Sequence, residues 1–198
     1  MTNKEKIFNI GFHKTGTTSL THFMKDNGYK SLHSTAYSMS RLNLGSQTDI
    51  NEDTSEPVNL ESILDKTLLQ ELVQEYDFFS DNPWPLLYRL LDQSFPNSKF
   101  ILTRRHTNSW VNSLIKYSGT QNTRMRQIIY GYGNPENHVT RYRKTYIRHN
   151  KDVVAYFGNR KDLLVIDIED NDRVIADSLA EFLGLGENRT PFPTSNKA

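Results

Sequence analysis

Gly11, Lys14, Gly16, Thr17 and Thr18 fall close together and carry what a phosphate group needs. They belong to the segment IFNIGFHKTGTTSL, Ile7 to Leu20, where an apolar stretch runs into a glycine-bounded loop and the loop into a helical pattern. Gly11 and Gly16 let the backbone turn tightly enough for several N–H groups to face one anion. A helix starting near Gly16 adds the positive end of its dipole. Lys14 brings a cation, Thr17 and Thr18 bring hydroxyls, and Thr15 and Gly16 bring backbone N–H groups. The glycine spacing matches the phosphate loop G-x-x-x-x-G-K-[ST], yet Thr17 stands in the lysine place and the lysine has moved to position 14. That displacement counts against magnesium–nucleoside triphosphate chemistry.

A second segment, KFILTRRHTNSWVNSLIKY from Lys99 to Tyr117, repeats the strand-to-helix pattern. Arg104 and Arg105 end its apolar strand, Thr107 or Asn108 is placed to cap the next helix, and Ser113 follows Arg105 by a little over two helical turns. An arginine at a strand end and a serine on the helix can grip a second phosphate together. Asp81 follows a short strand and precedes Asn82-Pro83. It suits a general base, and it or Asn82 equally suits a helix cap behind Pro83. His33 is the alternative base, since an imidazole titrates near neutrality. His13, inside the first loop, either orients a ligand or packs the loop. Trp84 and Trp110 read as core or pocket wall.

These residues resemble the sulfotransferases that use 3′-phosphoadenosine 5′-phosphosulfate, and most closely the short bacterial-type members. The loop Gly-Phe-His-Lys-Thr-Gly-Thr-Thr-Ser-Leu, which takes in Ser19, is similar to that family's 5′-phosphosulfate loop, and the Arg105…Ser113 spacing to its 3′-phosphate motif. The resemblance extends, more loosely, to Asp81-Asn82-Pro83-Trp84, Tyr146…His149…Tyr156-Phe157, Asp162–Asp170 and Pro191-Phe192-Pro193. It implies that Lys14 stabilises charge on the leaving group and that His13 to Ser19, Arg105 and Ser113 hold the donor. It also implies an acceptor hydroxyl or amine activated by Asp81 or His33. In the cytosolic branch a histidine occupies the place of Asp81, so this chain departs from that branch at the base.

Elements must bring these segments together. Strands are expected at Lys6–Ile10, Tyr29–His33, Asp77–Ser80, Phe100–Thr103 and Leu163–Ile168. Helices are expected over Thr17–Asn27, Leu60–Glu75, Trp84–Leu91, Ser109–Tyr117, Thr123–Tyr130, His138–Phe157 and Arg173–Leu183, with a polar loop at Ser46–Pro57. The alternation predicts an α/β, three-layer sandwich with a mostly parallel central sheet, P-loop NTPase-like, in one domain over residues 1–198. In such sheets ligands bind beyond the carboxyl ends of the strands, which puts the Gly11 loop, Asp81 and Arg105 at one edge.

Composition narrows the partners. The 198 residues carry a net charge of +1 and no cysteine, which gives no reason to expect nucleic acid and excludes a disulfide framework or thiolate chemistry. No apolar run is long enough to span a bilayer and no signal core precedes the first strand, so a cytoplasmic location is the expectation. Acidic residues dominate Asp49–Glu75, while Arg124, Arg126, Arg141, Arg143, Lys144, Arg148 and Lys151 face only Glu136. Most of these cations read as a solvated face; the sharper reading lets one or two border the anionic donor or an anionic acceptor. Tyr130-Gly131-Tyr132-Gly133 reads as a mobile loop, which makes the Gly119–His138 region either a lid or an ordinary helix–helix connection. The acceptor, with its pocket built from Ser34–Pro57 and Gly119–His138, stays open between carbohydrate, small alcohol, amine and lipid head group; oligomeric state stays open too. Two other functions compete: a P-loop kinase or NTPase using ATP-magnesium, and a non-catalytic nucleotide-binding protein.

Overall fold

Apolar side chains alternate along the strands, and the alternation builds two cores. The computed structural model describes residues 5–46, 53–186 and 190–193. Its strands are β1 (Ile7–Asn9), β2 (Ser31–His33), β3 (Phe78–Ser80), β4 (Lys99–Arg104) and β5 (Leu163–Asp167). They form one five-stranded sheet in the order β2-β3-β1-β4-β5 with every pair parallel. The helices are α1 (Thr17–Asp26), α2 (Thr35–Arg41), α3 (Lys66–Glu75), α4 (Tyr88–Ser94), α5 (Thr107–Ser118), α6 (Arg124–Tyr130), α7 (Val139–Phe157) and α8 (Asp172–Leu183). Ile7, Phe78 and Ile101 pack on one side with Leu20 and Phe23 of α1 and Ile175 and Leu179 of α8. Their neighbours Phe8, Phe79 and Phe100 pack on the other side with residues of α3 to α7. A period of two in the strands therefore gives three layers.

The sheet sets the position of the site. From β1 the chain goes out to β2 and returns to β3, then crosses to β4 and β5 on the other side. The reversal occurs at β1, so the carboxyl ends of β3, β1 and β4 open onto one crevice. No helix among the described residues is long and apolar enough to cross a membrane.

Several boundaries differ from the sequence-based expectation. The helix expected over Leu60–Glu75 begins only at Lys66, because the Asp65 carboxylate accepts the Thr67 and Leu68 N–H groups; Leu60–Ser62 is a separate 3₁₀ turn, and Ile63 is exposed. Trp84–Leu86 is likewise a 3₁₀ turn, with Leu86 N–H on Pro83 and Leu87 N–H on Trp84, and α4 starts at Tyr88. The side chain of His106, not Thr107 or Asn108, caps α5 by accepting from the Asn108 N–H. Helix α2 was not expected, since of its residues only Ser38 and Met39 are buried and no apolar stripe marks it; Ser34 caps it. The loop expected at Ser46–Pro57 lies partly outside the described residues; positions 53–57 carry no helix or strand.

Candidate active site

The first loop is fixed from below by one buried polar residue. Asn9 Oδ1 accepts the Gly11 N–H (3.1 Å) and the Thr103 hydroxyl (3.0 Å), while its Nδ2 donates to Ser80 Oγ (3.0 Å). Asn9 thus ties the ends of β1, β3 and β4 together. Sequence reading passed over it; the available signal was a polar residue inside an apolar strand. A Cβ on Gly11 would sit 2.2 Å from the Thr103 carbonyl oxygen and hydroxyl, so only glycine lets the loop leave β1 against β4. Thr15 is buried under the loop, its hydroxyl 2.8 Å from that of Thr103.

Above this base no side chain caps the start of α1. Gly16 precedes the helix at φ 78°, and its first turn holds no acid. The N–H groups of that turn therefore lack a side-chain acceptor within the cap. Lys14 adopts φ 64°, a left-handed conformation uncommon for its type. Its ammonium lies 4.1 Å from the centre of the Tyr117 ring. Burial lowers its pKa, and the nearby Arg105 charge lowers it further. Thr18 is half-buried, and Ser19 turns into the interior.

Arg105 stands at the end of β4 with a carboxylate on its guanidinium. Its Nη2 donates to Glu169 Oε1 (3.1 Å), and the His106 N–H donates to Glu169 Oε2 (2.9 Å). Tyr146 OH accepts the Arg105 N–H and donates to the Arg105 carbonyl, both at 2.9 Å, which anchors this corner to α7. Ser113 is half-buried on α5.

Asp81 and His33, alternative bases in the sequence, lie together. His33 Nε2 is 3.9 Å from Asp81 Oδ2 and 3.3 Å from Thr17 Oγ1. Burial lowers the His33 pKa, against the opposing pull of the Asp81 charge. Asp81 adopts φ 71°, and its Oδ1 accepts the Asn82 N–H (2.9 Å). No side chain caps the turn behind Pro83, so neither Asp81 nor Asn82 serves as that cap. Asn82 Nδ2 donates instead to His13 Nδ1 (2.9 Å). His13 is held neutral, since burial drives its pKa down to about 4. Its other ring nitrogen lies 3.3 Å from Tyr130 OH, and its carbonyl accepts the Trp110 indole N–H (2.9 Å). The chain Trp110–His13–Asn82 links the phosphate loop to the carboxylate; Asn82 and Tyr130 are members that sequence reading did not assign to the site.

A cavity of about 270 Å³ opens beside Asp81. Thr35 lines one part, and Ser118, Gln121, Thr123 and Arg126 line another. The wall is packed, not loose: the N–H of Val58 donates to Ile128 (2.9 Å), Gly133 N–H donates to Asp53 (3.0 Å), and Met125, Ile128, Ile129 and Tyr130 are buried. Gly119–His138 is thus a helix and its connections, packed on residues 53–58. A larger groove, about 730 Å³, lies at the amino ends of β1 and β4 around Lys6 and Ser98, away from this chemistry.

A parallel three-layer α/β sheet with a glycine-bounded loop between its first strand and first helix gives the molecule a P-loop NTPase-like fold. The chain belongs to the sulfotransferase family: the model of the sulfotransferase domain matches residues 6–137, more than half of its length. The fold is similar to that of a sulfotransferase from Alicyclobacillus acidocaldarius, with TM-score 0.61 and 18% identity, covering 98% of this chain and 87% of the other. It is also similar to the sulfotransferase domain from the curacin biosynthetic pathway, with TM-score 0.52 and 18% identity over 92% and 75% of the two chains. No curated protein matches the sequence significantly.

Proposed function

We propose that this sulfotransferase uses 3′-phosphoadenosine 5′-phosphosulfate and delivers the sulfuryl group to a hydroxyl or amine of a small-molecule acceptor. The observation that carries the reading is the pairing of an uncapped helix start with two neighbouring cations: Lys14, whose pKa is lowered by burial and by the charge of Arg105, and Arg105 itself. Such a cluster is stabilised by a ligand with several negative charges. The uncapped start of α1 fits its 5′-phosphosulfate end, and Gly11 lets the loop leave β1 against Thr103 to reach that position. Arg105 and Ser113 fit its 3′-phosphate, with Arg105 leaving Glu169 to do so.

The bound donor supplies an activated sulfur–oxygen bond. The acceptor oxygen attacks sulfur, that bond breaks, and its electron pair stays on the phosphate oxygen of the nucleotide. Lys14 and the loop N–H groups face the charge that grows there, and their fixed placement lowers the barrier. Asp81 takes the acceptor proton, because it lines the cavity whereas His33 sits behind it against Thr17. His33 keeps the carboxylate and Thr17 in register. Where the acceptor is an alcohol, the products are a sulfate monoester and 3′-phosphoadenosine 5′-phosphate.

Calorimetry tests the donor. Tight binding of 3′-phosphoadenosine 5′-phosphate without metal is expected, with weaker binding of ATP-magnesium. A preference for ATP-magnesium would replace this reading with a kinase or NTPase. Donor binding without turnover on any acceptor in a labelled-sulfate screen would leave a nucleotide-binding protein.

A further inference from the structure

Residues that line the cavity beside Asp81 carry buried polar atoms that the fold does not satisfy. Arg126 is 6% exposed; its Nε donates to Thr123 Oγ1 (2.9 Å) and its Nη2 to the Gln121 carbonyl (2.6 Å). Its Nη1 is buried with no hydrogen-bond partner among the described residues. No carboxylate of a described residue pairs with it, and burial disfavours its charged form. Two further residues of the same wall carry orphaned atoms: Ser118 Oγ and Asn82 Oδ1, on side chains 2% and 4% exposed.

A buried guanidinium without a counter-ion is costly, and buried polar atoms without partners are rare in native proteins. Three of them around one cavity mark a place where a ligand completes the bonding. Arg126 offers an N–H donor with a full positive charge, whose best partner is a carboxylate or phosphate oxygen. Asn82 Oδ1 offers an acceptor next to Asp81, suited to a further O–H or N–H of the ligand. The volume lies just below the usual range for ligand pockets, roughly 300–1,000 Å³.

Building on the sulfuryl-transfer reading, we infer that the acceptor is a small hydroxyl compound bearing a carboxylate or phosphate group, which Arg126 Nη1 binds while the hydroxyl meets Asp81. Of the cations clustered between Arg124 and Lys151, Arg126 is then the one that selects the substrate. Arg141, by contrast, pairs with Glu56, and Arg143 with Asn108.

The probes are 4-hydroxybenzoate, 4-hydroxyphenyl phosphate and the neutral 4-hydroxybenzamide. Each is titrated into the full chain loaded with 3′-phosphoadenosine 5′-phosphate, with binding heat and the Arg126 Nε–H resonance as readouts. At least one anion is expected to bind about tenfold or more tightly than the amide, the return of a charge-assisted hydrogen bond, and to shift the Arg126 signal. Arg126→Gln is expected to erase that advantage. Equal affinity of acid and amide, no binding of any probe, or an advantage that survives Arg126→Gln overturns the proposal. Should Arg126→Gln not fold, the wild-type comparison and the Arg126 signal decide alone. Nucleotide loading is measured first and separately. Its failure sinks sulfuryl transfer, and the acid–amide comparison on the unloaded chain still decides the role of Arg126.

Discussion

The glycine-bounded loop and the cavity wall meet at Asp81 but are built on different plans. The loop, Gly11 to Ser19, works through backbone: two glycines at close approaches, an uncapped helix start and one lysine. The wall, around α6, works through side chains: a buried arginine, a serine and tyrosines whose positions depend on packing against residues 53–58. A backbone-built site is compressed into consecutive residues, because the chain itself supplies the donors. A side-chain-built site draws on residues far apart and carries no local pattern. The difference predicts that changes in the loop strike transfer to every acceptor alike, whereas changes in the wall alter which acceptor is used.

The largest effect tests the loop. Lys14→Ala is expected to cut the transfer rate by about 10²–10³-fold or more while the melting temperature holds, since alanine adds no backbone strain that lysine did not already bear. A rate within a few-fold of wild type would break the comparison at its stronger side. Next comes the junction of the two regions. Asp81→Asn is expected to lower turnover by about 10²-fold with donor affinity kept, and His33→Gln by less. If His33→Gln proves the more severe, the two exchange roles.

Two glycines sharpen the contrast further. Gly11→Ala drives a Cβ to 2.2 Å from Thr103 and is expected to cost about 1–3 kcal/mol of stability together with donor binding. Gly131→Ala, at φ +80° with Ser55 C only 2.6 Å away, is expected to cost a similar amount while leaving donor affinity intact. Denaturant melts and calorimetry on the pair would show whether the wall is energetically separate from the loop. Arg105→Ala is expected to weaken 3′-phosphoadenosine 5′-phosphate by about tenfold and to spare its 3′-dephosphorylated analogue.

A pH effect is shared by two histidines. Burial drives both His13 and His149 to about 4 from an ordinary 6.5. Unfolded, they take up protons that the folded chain refuses, so their contribution to stability is complete above pH 6.5 and is lost as pH falls toward about 4. The urea midpoint should be level above that window and decline within it. His149→Gln, which removes the ring that donates to the Ile10 carbonyl (2.7 Å), should make the decline shallower. An unchanged decline would mean that other groups set it.

Most elements could be read from apolar spacing. α1 shows Leu20, Phe23 and Met24 on one face, α8 shows Ile175 and Leu179, and the sheet follows from apolar runs separated by helices. α2 could not, because it buries too little to leave a stripe. The start of α3 differs from the expectation because Leu60 and Leu64 belong to the core without being part of the α-helix. Leu64 and Leu68 stand at helical spacing, yet the Asp65 cap falls between them.

The candidate site divides in the same way. Gly11, Lys14, Gly16, Thr17 and Thr18 were legible because short-range geometry demands those residue types in that order. Asp81 and His33 were legible as separate candidates; that they stand 3.9 Å apart is a consequence of β2 pairing with β3. The roles of Asn9, Asn82 and Tyr130 came only from the fold, as did the orphaned Nη1 of Arg126. Backbone conformation is a local property and is written in neighbouring residues. Burial, and with it the bonding demand of a polar group, belongs to whatever the chain folds against it, and only the tertiary structure decides that.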